Sequence, residues 1–239
     1  MQSTGIFVTG TDTGAGKTMV SCAILAALHR RGLRTAAFKP VETGCPVVSG
    51  QLQGEDCTRL AAAAGSHQAP RDVAAMLLAE PAAPLVAAEA EGRRVERKTL
   101  LDHHARIAAT ADFVLCEGAG GLMVPLADGW TTRDLARELG RPMLLVVGSR
   151  LGCINHALLS LEAMRGAGLP VLGYVVNEVG GDDAHGLALA TNRDVLRRFA
   201  GARELGVLPH VPADRRDDLA HLAALAETHL DLDAIAGRR

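Results

Sequence analysis

Residues 10–18 read Gly10-Thr11-Asp12-Thr13-Gly14-Ala15-Gly16-Lys17-Thr18. This string has the make-up of an anion cradle. Glycines let successive backbone N–H groups turn toward one point without Cβ clashes, and a helix that starts there adds its positive end. Lys17 can reach the β- and γ-phosphates of a nucleotide, and Thr18 can offer a hydroxyl to Mg²⁺. The usual G-x4-G-K-[ST] spacing puts the first glycine at Thr11, whereas here it lies one residue earlier, at Gly10. The loop is therefore a variant P-loop. A dinucleotide-binding fingerprint fits less well, because Met19 stands where its third glycine should be.

Only three lysines occur among 25 basic residues: Lys17, Lys39 and Lys98. An ammonium is a compact point charge and a guanidinium a planar fork, so an arginine-rich chain keeps lysine where a crowded anion site needs it. Lys39 opens Lys39-Pro40-Val41-Glu42-Thr43-Gly44 at the expected C-terminal end of a strand, the edge where open parallel sheets bind ligands. Glu117 follows the apolar run Phe113-Val114-Leu115-Cys116 and precedes Gly118-Ala119-Gly120-Gly121, the pattern of a Walker B acid with Glu in place of Asp. Asp56 opens an expected helix after a glycine-rich loop. Thr18, Asp56 and Glu117 together offer hard oxygen ligands of the kind Mg²⁺ takes beside phosphate and water.

The elements that must position these groups follow from apolar periodicity. Strands are expected at 5–10, 34–39 (stopped by Pro40), 112–116, 142–147, 170–176 and 204–208. Helices are expected at 18–31, 55–64, 82–91, 96–110, 132–139, 154–167, 183–200 and 215–229, and 42–54 reads as loop. The stretch 72–79 is compatible with either. Strands alternating with helices of this length imply βαβ crossovers, hence a three-layer α/β/α fold with a mostly parallel sheet. No linker or repeat divides it, so residues 1–239 are expected to form one domain.

With 239 residues, 48% apolar and 22% charged, the chain has the composition of a folded domain rather than a disordered one. A net charge of −2 gives no basic footprint for nucleic acid. No apolar run is long enough for a membrane span, and five scattered cysteines without a CxxC pair suit reduced thiols in the cytoplasm.

At these motifs the chain resembles the dethiobiotin synthetase family, within the P-loop NTPases. The matching segments are GTDTGAGKT (10–18), KPVETG (39–44), GED (54–56), EP-x-x-P (80–84), EGAGG (117–121), LGCINHALL (151–159) and VVNE (175–178). The resemblance implies a ligase that joins 7,8-diaminononanoate, CO₂ and ATP with Mg²⁺ to make dethiobiotin, ADP and phosphate. It implies that Lys17 and Lys39 are catalytic, with Lys39 at the carbamate and γ-phosphate. Gly14, Ala15, Gly16, Lys17, Thr18 and Met19 would hold the phosphates, with Gly118, Ala119 and Gly120 beside them. Thr18, Asp56 and Glu117 would hold the metal. Asn177 and Glu178 would meet the nucleotide base, as would the loop Leu208-Pro209-His210. Thr43 would hydrogen-bond the diamine, while Gly152, Cys153 and Asn155, at a helix start, would hold its distant carboxylate across a homodimer interface. Two departures stand out: Gly14 replaces a Glu found in some members, and Arg150 replaces a familiar Lys.

Other features read as structural. His103 and His104 are adjacent, point about 100° apart on a helix and are expected at the surface. Tyr174 is expected in the core. Cys153 and His156 read as packing or interface groups rather than catalysts, and Arg215-Arg216, flanked by aspartates, as a solvated helix face. Asp182-Asp183 reads as a helix start. Two other functions compete. A P-loop switch or partitioning ATPase often carries a second lysine where Thr11 stands. An amide-forming synthetase would need a glutamine-hydrolysing domain, for which the chain is too short.

Overall fold

The computed structural model describes residues 3–65, 67–180 and 187–237; the Asp182-Asp183 helix start lies outside them. In chain order the elements are β1 (Thr4–Gly10), α1 (Lys17–Arg30), β2 (Thr35–Glu42), β3 (Val47–Val48), β4 (Gln51–Leu52), α2 (Glu55–Ala63), α3 (Pro70–Val73), β5 (Ala74–Leu77), α4 (Pro84–Ala90) and α5 (Arg97–Ala108). There follow β6 (Phe113–Gly121), β7 (Pro125–Ala127), β8 (Trp130–Thr131), α6 (Thr132–Leu139), β9 (Met143–Gly148), α7 (Cys153–Gly166), β10 (Val171–Asn177), α8 (Leu187–Phe199), β11 (Glu204–Leu208), α9 (Leu219–His229) and α10 (Leu232–Ile235).

Seven strands form one sheet in the order β11-β10-β9-β1-β6-β2-β5, and its pairings are parallel. The continuous apolar runs are explained by burial on both faces. Ile6 and Val8 join one core with α1, α2 and α9. Phe7, between them, joins the other with α5, α6 and α7. Leu144 and Val146 divide from Leu145 and Val147 in the same way. Helices on both faces complete the expected α/β/α sandwich. Helix α1 is buried from Val20 to Leu28, being packed on the sheet, α2 and α9. It ends as expected at Gly32 (φ +82°), whose N–H donates to the His29 carbonyl while that of Leu33 donates to Leu28.

Several expectations need correction. Strand β2 does not stop at Pro40 but runs on to Glu42. Its register with β6 ends at Phe38, so the missing proline N–H removes nothing from that ladder, and Lys39, Val41 and Glu42 pair with β5 instead. The 42–54 loop contains a hairpin, β3–β4, turning at Ser49 and Gly50, both with positive φ. The ambiguous 72–79 stretch contains edge strand β5. Strand β6 continues past Glu117 to Gly121, so the acid sits inside the strand rather than at its tip. His104 is buried against Phe38, not on the surface. Helix α9 starts at Leu219, and Arg215 belongs to a preceding 3-10 turn. Tyr174 is core, as expected.

Among the described residues no helix is long and apolar enough to cross a membrane. All five cysteines are free and buried.

Candidate active site

Strand β1 lies at the switch point of the sheet, between β6 and β9, and ligands of such sheets bind beyond the carboxyl ends there. The loop leaving β1 is shaped by glycine. Gly14 and Gly16 take φ of +77° and +87°, the left-handed region that favours glycine. A Cβ on Gly16 would stand 1.9 Å from Asn177 Nδ2, so this position also needs the missing side chain for space. At Gly14 the space is open, so its backbone conformation is the constraint on any side chain there.

Beyond this loop opens a cleft of about 720 Å³, within the range of small-molecule sites. Gly14, Gly16, Lys17, Thr18, Met19, Lys39, Thr43, Asp56, Ala119, Gly120, Asn177, Glu178 and His210 all line it. Elements far apart in sequence thus bring most of the expected residues to one place. Ala15 is buried beneath the loop, and Leu208 is buried at the end of β11. Gly118 packs on Phe7 and Thr132.

The floor of the cleft is ionic and largely buried. Lys39 is 4% exposed and Glu117 fully buried. The Lys39 ammonium donates to Glu117 Oε1 at 2.8 Å and to Asp56 Oδ2. Thr18 Oγ1 donates to the same Glu117 oxygen at 2.9 Å. Burial opposes the Lys39 charge, but the Glu117 and Asp56 carboxylates outweigh it and hold its pKa above the ordinary lysine value. Burial likewise opposes the Asp56 charge, and Lys39 overcomes it, leaving that carboxyl below the usual range. Lys17, 7% exposed, donates to the Asp12 carbonyl at 3.4 Å. Burial lowers its pKa despite the pull of Glu117.

Glu117 Oε2 is buried with no hydrogen-bond partner. An unpartnered carboxylate oxygen is costly; the other oxygen of this carboxylate accepts from Thr18 and shares Lys39 with the Asp56 carboxylate. The described residues contain no cluster of three or more His, Cys, Asp and Glu side chains suited to a metal. Two carboxylates and a hydroxyl instead fit a hard cation that completes its shell with phosphate and water, as Mg²⁺ does.

Asn177 is more engaged than a base reader need be: its Nδ2 donates to the Ala15 carbonyl at 3.0 Å, tying β10 to the P-loop. His210 packs over Gly180, where a Cβ would meet its ring at 2.3 Å. Gly152, Cys153 and Asn155 do not line the cleft. They begin α7, with Gly152 at φ +90°, Cys153 buried and Asn155 exposed. Burial raises the Cys153 pKa, as suits a packing thiol.

A family model described as an AAA domain matches residues 4–215. The ATP-dependent dethiobiotin synthetase BioD of Aromatoleum aromaticum is 42% identical over 205 residues, covering 86% of this chain and 90% of that protein. The chain belongs to the dethiobiotin synthetase family. Solved structures similar in fold include the MinC:MinD cell division protein complex of Aquifex aeolicus. Its matched chain has a TM-score of 0.55 at 14% identity, over 98% of this chain and 93% of that one. A ParA family ATPase from Chlorobium tepidum also has a TM-score of 0.55, at 13% identity, over 98% and 97%. At such identity the likeness concerns the fold alone.

This dethiobiotin synthetase-family chain also lines its cleft with residues the sequence did not single out. Pro81, Ala82, Ala83, Pro84, Val41 and Val124 form an apolar wall. For Pro81 to Pro84 the signal was the EP-x-x-P segment, which matched the family without an assigned role; Val41 lay within KPVETG, and Val124 in no quoted motif. Arg216, read as part of a solvated helix face, lines the cleft, while Arg215 pairs with Asp218 at 2.9 Å.

Proposed function

We propose that this cleft carries out ATP-dependent carboxylation and ring closure of 7,8-diaminononanoate to dethiobiotin, a cyclo-ligase step of biotin biosynthesis, within one domain spanning residues 1–239. The observation that carries the reading is the convergence of Lys17, Thr18, Lys39, Asp56 and Glu117 at the end of β1, in a chain 42% identical to a dethiobiotin synthetase over most of its length.

An amine of the substrate takes up CO₂ and loses a proton to give a carbamate. A carbamate oxygen attacks the γ-phosphorus and ADP leaves. The second amine attacks the carbonyl carbon of the mixed anhydride and loses a proton, phosphate leaves and the five-membered ring closes. Lys17 and Lys39 are the fixed cations where negative charge gathers, and a site shielded from water makes such cations effective. Thr18, Asp56 and Glu117 would hold Mg²⁺, which supplies charge neutralisation at the phosphates. Gly14 to Met19 hold the phosphate tail, with Gly118 to Gly120 opposite. Asn177, Glu178 and the loop Leu208-Pro209-His210 bound the base. Thr43 takes a polar group of the diamine, and the apolar wall from Pro81 to Pro84 suits its alkyl chain.

The distant carboxylate goes to the start of α7, at Gly152, Cys153 and Asn155. Since this helix start is not part of the chain's own cleft, the reading requires a homodimer that completes each site. Exposed Leu151 and Leu159 on this surface support it. Five free cysteines suit a reducing cytoplasm.

The test is phosphate release from ATP with bicarbonate and Mg²⁺, with and without the diamine. Release should depend on the diamine and match dethiobiotin formed. Release indifferent to the diamine would favour a switch ATPase and sink this reading.

A further inference from the structure

Strand β2 and helix α2 both feed the ionic floor, β2 with Lys39 and α2 with Asp56, yet an exposed loop and the β3–β4 hairpin separate them. The capping residue of α2, Gly54, offers no side chain to the first N–H groups of the helix. Those groups need partners, and a carboxylate from outside the helix supplies them. Glu42, 6% exposed at the end of β2, accepts from the Asp56 N–H at Oε1 and from the Cys57 N–H at Oε2, each at 2.9 Å.

The seat is shaped for this contact. A Cβ on Gly54 would stand 2.3 Å from Glu42 Oε2 and 2.7 Å from its carboxyl carbon, so glycine there is what lets the carboxylate approach. The Glu42 backbone is fixed as well, its carbonyl accepting from the Leu78 N–H at 2.9 Å. A serine or asparagine at position 54 could cap the helix locally. The chain instead brings the Glu42 carboxylate to the first N–H groups of α2 and so holds that helix against β2.

We infer that Glu42 is a positioning residue: its carboxylate locks α2 onto the end of β2 and thereby aims Asp56 at the metal position. Glu42 also lines the cleft, but in this role it acts through Asp56, its two carboxylate oxygens being engaged by the helix N–H groups. The inference rests on the reading of Asp56 as a Mg²⁺ ligand. Groups that orient metal ligands in this way are typically worth about 10–100-fold in metal affinity.

The test compares wild type, Glu42→Ala, Glu42→Gln and Asp56→Asn by calorimetric titration of ATP at a series of Mg²⁺ concentrations and in EDTA. Melting curves establish that each variant is folded. Glu42→Ala should weaken the apparent Mg²⁺ affinity about tenfold or more. Glu42→Gln, which keeps one acceptor and the side-chain shape, should fall between it and wild type. Metal-free ATP binding should stay within about twofold, because the P-loop is untouched, and Asp56→Asn should lose at least as much Mg²⁺ affinity as Glu42→Ala. Folded Glu42 variants with wild-type Mg²⁺ affinity, beside a defective Asp56→Asn, would overturn the inference and leave the Asp56 reading standing. An unimpaired Asp56→Asn would overturn both. Parallel loss of metal-free and metal-dependent ATP binding in Glu42→Gln would mark a general structural role and overturn the inference as well.

Discussion

The cleft floor and the outer face of α7 invert the usual distribution of side chains in opposite ways. On the floor, Lys39 and Glu117 are charged and almost wholly withdrawn from water, held by each other and by Asp56 and Thr18. Just before α7 and on it, Leu151 and Leu159 are apolar and 83% and 61% exposed. Charges are seldom buried unless paired, and large exposed apolar side chains are candidates for contact with a partner. In the proposed reading the phosphate end of the site is assembled within one chain, whereas the carboxylate end at α7 would need a second copy to complete it.

Breaking the floor should have the largest effect. Lys39→Met should reduce turnover about 1000-fold, the upper range for loss of one fixed charge partner of a reacting oxyanion. ATP binding, followed by calorimetry, should persist through Lys17 and the loop. Next comes Glu117→Gln, which should weaken Mg²⁺-dependent ATP binding about 100-fold, at the top of the range even for groups that only orient a ligand. Titration of ATP affinity against Mg²⁺ tests it.

Altering the outer face should leave the floor intact. Leu159→Asp should yield a monomer by light scattering and raise the diamine KM about tenfold, the worth of an anion at a helix start. ATP affinity should not change, and a dimeric variant with normal KM would break the comparison.

Away from both regions, His104 is buried with Nε2 unpartnered, and burial, aided by Arg141, lowers its pKa to about 4. The unfolded chain binds this proton near pH 6.5 and the folded chain does not until about pH 4, so stability falls as pH drops through that window. The unfolding free energy from urea titration should be less acid-sensitive for His104→Leu, by about 2–3 kcal/mol between pH 7.5 and 4.5. The smallest effect is expected for Cys153→Ser, whose steady-state turnover should stay within about twofold, since a packing thiol has no chemical step to lose.

Much of the floor was legible because its groups sit beside local signatures: glycines before Lys17, an apolar run before Glu117, and a strand pattern leading to Lys39. The order of strands and helices was legible from periodicity for the same reason. What escaped depends on neighbours distant in sequence. Pro40 could remain in a strand because β6 stops pairing there, which no local pattern reveals. His104 is buried because Phe38, on another element, packs against it. Glu42 resembled one more acid in a loop motif, since its partners at Asp56 and Cys57 come from a helix across the hairpin. Arg216 was hidden by its acidic neighbours, which pair with Arg215 and Arg59 instead.

The buried cysteines have a practical consequence. Burial pushes Cys116 up to about 12 and Cys45 up to about 11, and raises Cys22 and Cys57 as well. Alkylating reagents attack thiolates, so near neutrality these sulfurs are silent until the chain opens around them. Cys57 lies in the first turn of α2, beside Asp56, and Cys116 in the sheet. Mass-spectrometric rates of labelling at the two would time the lifting of one helix separately from the opening of the whole sheet, without any introduced probe.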